Sequence, residues 1–283
     1  MSDVDDLTLG EVLEVVECLY PTSTAQSWDR VGLVTGDPRQ PVRRIHLAVD
    51  PTLAVIEEAR ELGADLLLTH HPLLLRGVHG VATTSAKGAA VTHLVVGDVA
   101  LYVAHTNADV AADGVSEALA QACGLTTSDP LALAEDQPLG RVGDLGTAMT
   151  LLAFVERLAT RLPVAAGGIR VAGPPDAQVR RVAVLGGAGD DLFDAVRASG
   201  ADVYVTADLR HHPALEAREE ARGGTPYLVD AGHWASEQVW LAVAQRALRA
   251  ALQERATRVE THISTVRTDP WTFVVGADPG GSP

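Results

Sequence analysis

Residues 63–77 read GADLLLTHHPLLLRG. Leu66, Leu67 and Leu68 are apolar on both faces, the mark of a strand covered on either side, and the run is far too short to cross a bilayer. Successive side chains on a strand point to opposite faces, so His70 and His71 can meet one site only if the backbone bends where they stand. Pro72 supplies the break, because it lacks an N–H and restricts the residue before it. In open α/β sheets ligands collect at the carboxyl ends of strands, so two neutral imidazoles at such an end fit metal ligation. A loop histidine next to a hydrogen-bonded one accounts for the same residues equally well.

Working outward, residues 43–49 read as a strand ending at Asp50. Thr52 can cap a helix through Val55, Ile56, Ala59 and Leu62, and Gly63 closes it. With Leu66–Thr69 this makes a βαβ unit, whose two strands should be parallel. The stripe Val12, Leu13, Val16, Leu19 predicts a helix over 9–19. A helix around 86–96, a strand over 99–104 ending in HTNAD (His105–Asp109), and a helix over 115–123 repeat the same grammar. Residues 125–143, rich in Asp, Pro and Gly, read as the crossing between two lobes.

The second half follows suit. A strand over 179–185 enters the turn GGAGDD (Gly186–Asp191), followed by a helix over 192–198 and strands over 201–205 and 226–229. A long helix is expected from Ser236 to about residue 256, one or two strands within 259–275, and disorder over 277–283. GADLLLTHHPLLL and GADVYVTADLRHHPAL share the order Gly-Ala-Asp, strand, Thr, His-His-Pro, a sign of an internal pseudo-repeat. The fold class expected is α/β: two similar α/β lobes with mainly parallel sheets and helices on their faces, pseudo-repeated within the chain. The metal-site lobe would take residues 1–125 and 230–283, and residues 126–229 would form the other.

At 283 residues and 47% hydrophobic content the chain can fill two cores. A formal charge of −15 argues against general nucleic-acid binding, which rests on clustered Lys and Arg. Two cysteines, Cys18 and Cys123, lie far apart and encode neither a disulfide framework nor a zinc ribbon. The acidic start MSDVDDLTLGEV has no apolar core of a signal peptide, and no apolar run reaches membrane length; a cytoplasmic protein without a membrane partner is expected.

Three strand ends thus carry ligand-type side chains: His70 and His71, then His105 and Asp109, then His233. In GHWASE, His233 and Glu237 stand four apart at a helix start, which places both on one face. Imidazole with carboxylate suits zinc, manganese or iron. Taken alone, GHWASE is accounted for by a strand terminator, a cap at Ser236 and a first-turn acid. Three strand ends decorated alike weigh against coincidence.

WDRVG (Trp28–Gly32), LLLTHHPLL, HTNAD, GRVGDL (Gly140–Leu145), VLGGAGDD, VTADLRHH and GHWASE occur in the order seen in the NIF-three-like family, which this chain resembles over nearly its whole length. The family comprises ring-forming proteins with a dinuclear metal centre, many called GTP cyclohydrolase type 2 homologues. The resemblance implies a toroidal homo-hexamer of two-lobed subunits. It also implies two divalent metal ions per subunit held by His70, His71, Asp109, His233 and Glu237, with Glu237 bridging them. From its place at a strand end, His105 reads as an orienting residue or a ligand, and Asp50 as an orienting residue, a base or equally a helix-initiating turn acid, while the resemblance places His212 in the lining of the cavity; these three are the candidate acid–base residues. His211 and His212 are the pseudo-repeat counterparts of His70 and His71, and the glycine turn at 186–191 reads either as an anion cradle or as a tight turn. The chain departs from the pattern at Arg30, Ala108 and Trp234, none of which removes a ligand, though Arg30 changes the surroundings of any substrate. The chain also lacks the length for the middle domain of longer members. The function expected is a metal-dependent hydrolase of cyclohydrolase type acting on a small molecule. The alternative is a non-catalytic metal-binding scaffold, metal chaperone or adaptor.

Overall fold

The computed structural model describes residues 6–255 and 259–276, so the expectation for 277–283 lies outside the described residues. Strand β1 (Leu7–Thr8) turns directly into α1 (Leu9–Leu19) because Thr8 and Glu11 form a capping box, each side chain accepting from the other's amide. After β2 (Gly32–Thr35) and β3 (Pro41–Val42) comes the anticipated βαβ unit: β4 (Arg44–Ala48), α2 (Leu53–Glu61) capped by Thr52, and β5 (Leu66–Thr69). The two strands are parallel, with Ile45 opposite Leu66 and Ala48 opposite Thr69. Then follow α3 (Ala86–Val96), β6 (Ala100–Val103), α4 (Thr106–Val110) and α5 (Val115–Cys123).

Residues 125–143 are regular structure. They hold most of a long hairpin, β7 (Asp129–Ala134) and β8 (Gln137–Thr150), turned by Glu135 and Asp136, both at positive φ (49° and 64°). Two consecutive left-handed residues make the tight turn whose twist suits paired strands. Next come α6 (Leu151–Ala159), β9 (Arg170–Ala172), β10 (Gln178–Ala188), α7 (Phe193–Ser199), β11 (Val203–Ala207), α8 (His211–Ala221), β12 (Tyr227–Asp230), α9 (His233–Glu254) and β13 (Glu260–Ile263).

The chain divides into two compact units. The first comprises Met1–Ala118, Leu133–Leu139 and Trp240–Thr268, the second Leu119–Ala132, Gly140–Val239 and Asp269–Pro283. The division differs from the expected 1–125 with 230–283 against 126–229. Strand β12 pairs with β11, so the loop and the first turn of α9 that leave it, carrying His233 and Glu237, belong to the second unit.

In the first unit the strand order is β13-β4-β5-β6-β2, parallel throughout except for β2. Ile56, Leu67, Leu94 and Leu101 are fully buried between this sheet and its helices; each contributes about 1.5–3 kcal/mol by leaving water. The second unit orders its strands β7-β8-β10-β11-β12-β9, with β10, β11 and β12 parallel and β8 and β9 antiparallel to their neighbours. Phe154, Leu158, Val182, Val205 and Val229 fill its core, and Cys123 is buried among them, its thiol pushed up to about 12 by burial.

The two units share one anchoring device. Asp65 of the first Gly-Ala-Asp accepts the backbone amides of Arg43 (2.7 Å) and Arg44 (2.9 Å), and Asp202 of the second accepts those of Arg180 and Arg181 (both 2.8 Å). Each Asp thereby fixes the register of its strand against the preceding parallel one. The glycines two residues earlier, Gly63 and Gly200, both sit at positive φ, where a helix must end to feed such a strand. No helix among the described residues is long and apolar enough to cross a membrane.

Candidate metal centre

In the first unit the backbone bends at His70 and His71, as Pro72 demands. Their amides still bond to the chain leaving β4, His70 to the carbonyl of Ala48 (3.1 Å) and His71 to that of Val49 (2.8 Å). The strand end is therefore held while the two rings, with centroids 5.0 Å apart, turn to a common side. His105 joins them from the end of β6, 5.1 Å from His70 and 5.5 Å from His71 by ring centroids. One ligand atom from each of the three lies within 4.8 Å of the others. Asp109, on α4, brings a carboxylate oxygen to 3.6 Å from His70 Nε2. Trp240 backs His70, its ring centroid 5.4 Å away, and is itself fully buried against Tyr20.

Each imidazole is held from behind. His70 Nδ1 lies 2.9 Å from the carbonyl oxygen of Ala104. A carbonyl only accepts, so Nδ1 carries the proton and Nε2 presents its lone pair forward. His71 Nδ1 donates to Asp50 Oδ1 (2.7 Å), and His105 Nδ1 donates to the carboxylate of Asp29 (3.0 Å to either oxygen). An imidazole whose rear N–H is tied to an oxygen acceptor is the usual state of a metal-ligating histidine. Asp29 is a site residue that the sequence did not single out. Burial alone would raise its pKa, but hydrogen bonds from His105, from the Thr106 hydroxyl (2.6 Å) and from the Thr106 amide outweigh that and hold the carboxyl well below the usual range.

The second unit builds its group on the strand ends of β10 and β11 and the first turn of α9. His233 Nδ1 donates to Asp208 Oδ2 (2.7 Å), and His233 Nε2 lies 3.0 Å from Glu237 Oε1, so the anticipated i,i+4 pair does share a helix face. Glu237 is 3% exposed and His233 only partly buried. Asp208 is the second residue that sequence reasoning missed. It stands just after β11 at φ 52°, a left-handed conformation that Asp tolerates. Gly187 (φ 70°) closes over the pair: a Cβ there would stand 2.5 Å from Glu237 Oε1. Its amide donates to Ser236 Oγ (3.0 Å) and its carbonyl accepts from Thr206 Oγ1 (3.0 Å). The glycine turn is thus a tight strand-end turn packed on α9; the helix after it, α7, has only seven residues.

Asp50 spends both carboxylate oxygens on positioning, Oδ1 on His71 and Oδ2 on Thr268. His212 is exposed in the first turn of α8, its ring edge-on to that of His211 with centroids 5.1 Å apart. No hydrogen bond among the described residues joins it to the His233 group. Neutral imidazole nitrogens with carboxylate oxygens form a donor set that fits a divalent transition metal.

A family model matches residues 7–270, almost the whole chain: Duf34/NIF3 (NGG1p interacting factor 3). The chain belongs to the Duf34/NIF3 family. A Streptomyces coelicolor relative named GTP cyclohydrolase 1 type 2 homolog is 48% identical over 279 residues, 97% of each chain. One of the same name from Mycobacterium leprae is 34% identical, covering 94% of this chain and 95% of its own. That alignment runs to 374 positions, more than the length of this chain, so the mycobacterial relative carries an insertion absent here, as the sequence suggested. Among solved structures, a Bacillus cereus protein related to NIF3 superposes with a TM-score of 0.88 at 27% identity, over 95% of this chain and all of that one. Within the Duf34/NIF3 family, then, this member presents two imidazole–carboxylate groups at its strand ends.

Proposed function

We propose that the chain is a metal-dependent hydrolase in which His70, His71 and Asp109 from the first unit and His233 and Glu237 from the second together hold two divalent cations, zinc, manganese or iron. The observation that carries the reading is the uniform orientation of the imidazoles. His70, His71, His105 and His233 each give Nδ1 to an oxygen acceptor and so present Nε2 toward a ligand. A second observation supports joining the two groups: Glu237 precedes by one helical turn Trp240, the residue whose ring backs His70. The name borne by the relatives supports the hydrolytic, cyclohydrolase-like direction.

Ions held there would lower the pKa of a water toward neutrality and polarise a substrate oxygen, the chemistry of hydrolysis. The chain's own residues would do the rest. Asp50, Asp29 and Asp208 would keep His71, His105 and His233 in the ligating tautomer, as the Ala104 carbonyl does for His70; Glu237 would supply a buried carboxylate ligand, and His105, held by Asp29, would move a proton or complete the coordination. The subunits would assemble as a cytoplasmic homo-hexamer and act on a small molecule.

The commitment of Asp50 to His71 and Thr268 favours a second reading, a metal scaffold, chaperone or adaptor, because it removes one candidate general base. Metal analysis with an activity screen separates the two. The purified protein should hold two ions per chain, and Glu237→Ala should lose both; retention of two ions by that variant would overturn the assignment. Manganese-, zinc- and iron-loaded protein is then screened against nucleotides, phosphoesters and cyclic amides. Turnover abolished by a His70→Ala, His71→Ala double change supports the hydrolase, whereas full occupancy without turnover supports the scaffold.

A further inference from the structure

The chain segment that follows β13 runs back to the metal-ligand group of the first unit. Strand β13 pairs in parallel with β4, Ile263 opposite Leu47, and the Ser264 amide continues the ladder to the Leu47 carbonyl (2.8 Å). Beyond this point the segment is clasped by one carboxylate of α2. Glu58 Oε2 accepts from Ser264 Oγ (2.5 Å) and Glu58 Oε1 accepts from both the amide (3.0 Å) and the hydroxyl (2.5 Å) of Thr265, while His46 contacts Glu58 from the sheet at 2.9 Å. Three residues later the Thr268 hydroxyl donates to Asp50 Oδ2, whose other oxygen accepts His71 Nδ1. Residues 218 positions apart in sequence thus form a line from threonine to carboxylate to imidazole.

We propose that Thr268 is a positioning residue for the metal centre: its hydroxyl fixes the carboxylate plane of Asp50, and Asp50 in turn fixes the His71 ring with Nε2 facing the ion. This rests on the reading of His71 as a metal ligand. A carboxylate with one oxygen bonded is free to rotate about its last torsion. The second bond removes that freedom, and with it the spread of angles His71 can adopt. The clasp at Glu58 delivers Thr268 to its place, so the segment from 264 to 268 acts as a strap on the ligand's support, which explains why so polar a stretch of chain is tied at three successive points.

The test uses the full-length protein, stripped of metal and titrated with zinc and with manganese alone, comparing Thr268→Ala, Thr268→Val and Thr268→Ser. Removal of an outer hydrogen-bond partner of this kind weakens metal binding by about 10–100-fold. Thr268→Ala and the isosteric Thr268→Val should therefore lose about tenfold in affinity, and Thr268→Ser, which keeps the hydroxyl, should return to within about twofold of the parent. In the metal-free protein the His71 Nδ1–H proton resonance should shift in the Ala and Val variants and not in the Ser variant. Unchanged affinity in Thr268→Ala, or equal weakening by Ser and Val, would overturn the proposal, the latter because it marks packing rather than a hydrogen bond. If the parent binds no metal at all, the reading of His71 as a ligand fails on its own. The His71 resonance still decides whether Thr268 governs that ring.

Discussion

Gly187→Ala offers a quantitative probe of the second ligand group. The position has φ 70°, and its Cβ would stand 2.5 Å from Glu237 Oε1 and 3.4 Å from His233 Nε2. The left-handed backbone alone costs an L-residue about 1 kcal/mol. The contact adds overpacking of about 2 kcal/mol, since Glu237 is 3% exposed and its carboxylate must shift to admit the methyl. Gly200→Ala isolates the first term, because that glycine has φ 69° and nothing within 4 Å of the added methyl. Urea denaturation of both variants in the presence of a chelator should give losses of about 3 kcal/mol for Gly187→Ala and about 1 kcal/mol for Gly200→Ala. Metal titration should show weakened binding in Gly187→Ala alone. Equal stability losses, or undiminished metal affinity in Gly187→Ala, would refute the claim that the glycine turn is shaped around Glu237.

Two further expectations follow from the same geometry. Burial alone would raise the Glu58 pKa, yet hydrogen bonds from Ser264, Thr265 and His46 hold it down at about 2, against an ordinary 4.5. A depressed carboxylate contributes stability above its unfolded pKa and loses it as pH falls toward the folded one, so the parent should lose on the order of 2 kcal/mol more than Glu58→Gln between pH 5 and pH 2, read from denaturation midpoints across that window. Asp208 holds His233 from an exposed position, so Asp208→Ala should weaken metal binding about 10-fold in calorimetric titration while lowering the thermal midpoint by no more than about 4 °C, the cost of an alanine at φ 52°.

Much of this architecture is legible in the sequence because local signals agree with the fold. Thr8 and Thr52 are side-chain caps where the helices begin, and helix 9–19, strand 66–69, helix 86–96 and helix 115–123 lie where periodicity puts them. The histidines were visible because they stand where apolar runs stop. The β7–β8 hairpin was hidden by its turn: Glu135 and Asp136 take left-handed angles without a glycine to announce them, and the Asp-Pro-Gly content reads as linker. Helix α8 was hidden by the likeness of the two His-His-Pro stretches. His-His-Pro follows β5 into a bent loop at 70–72, whereas the same triplet at 211–213 opens a helix, where a first-turn proline forfeits no helical hydrogen bond. Asp29 and Asp208 act through His105 and His233, 76 and 25 residues away, and an isolated carboxylate carries no sign of such a partner.

Crystals of the zinc-loaded protein, with anomalous scattering recorded on either side of the zinc edge, show directly whether one pair of cations is held by all five ligands. Two anomalous peaks per chain are expected about 3.5–4 Å apart, one against His70, His71 and Asp109 and the other against His233, with Glu237 reaching both. A single peak held by His70, His71 and His105 alone, with Glu237 touching no ion, would contradict it.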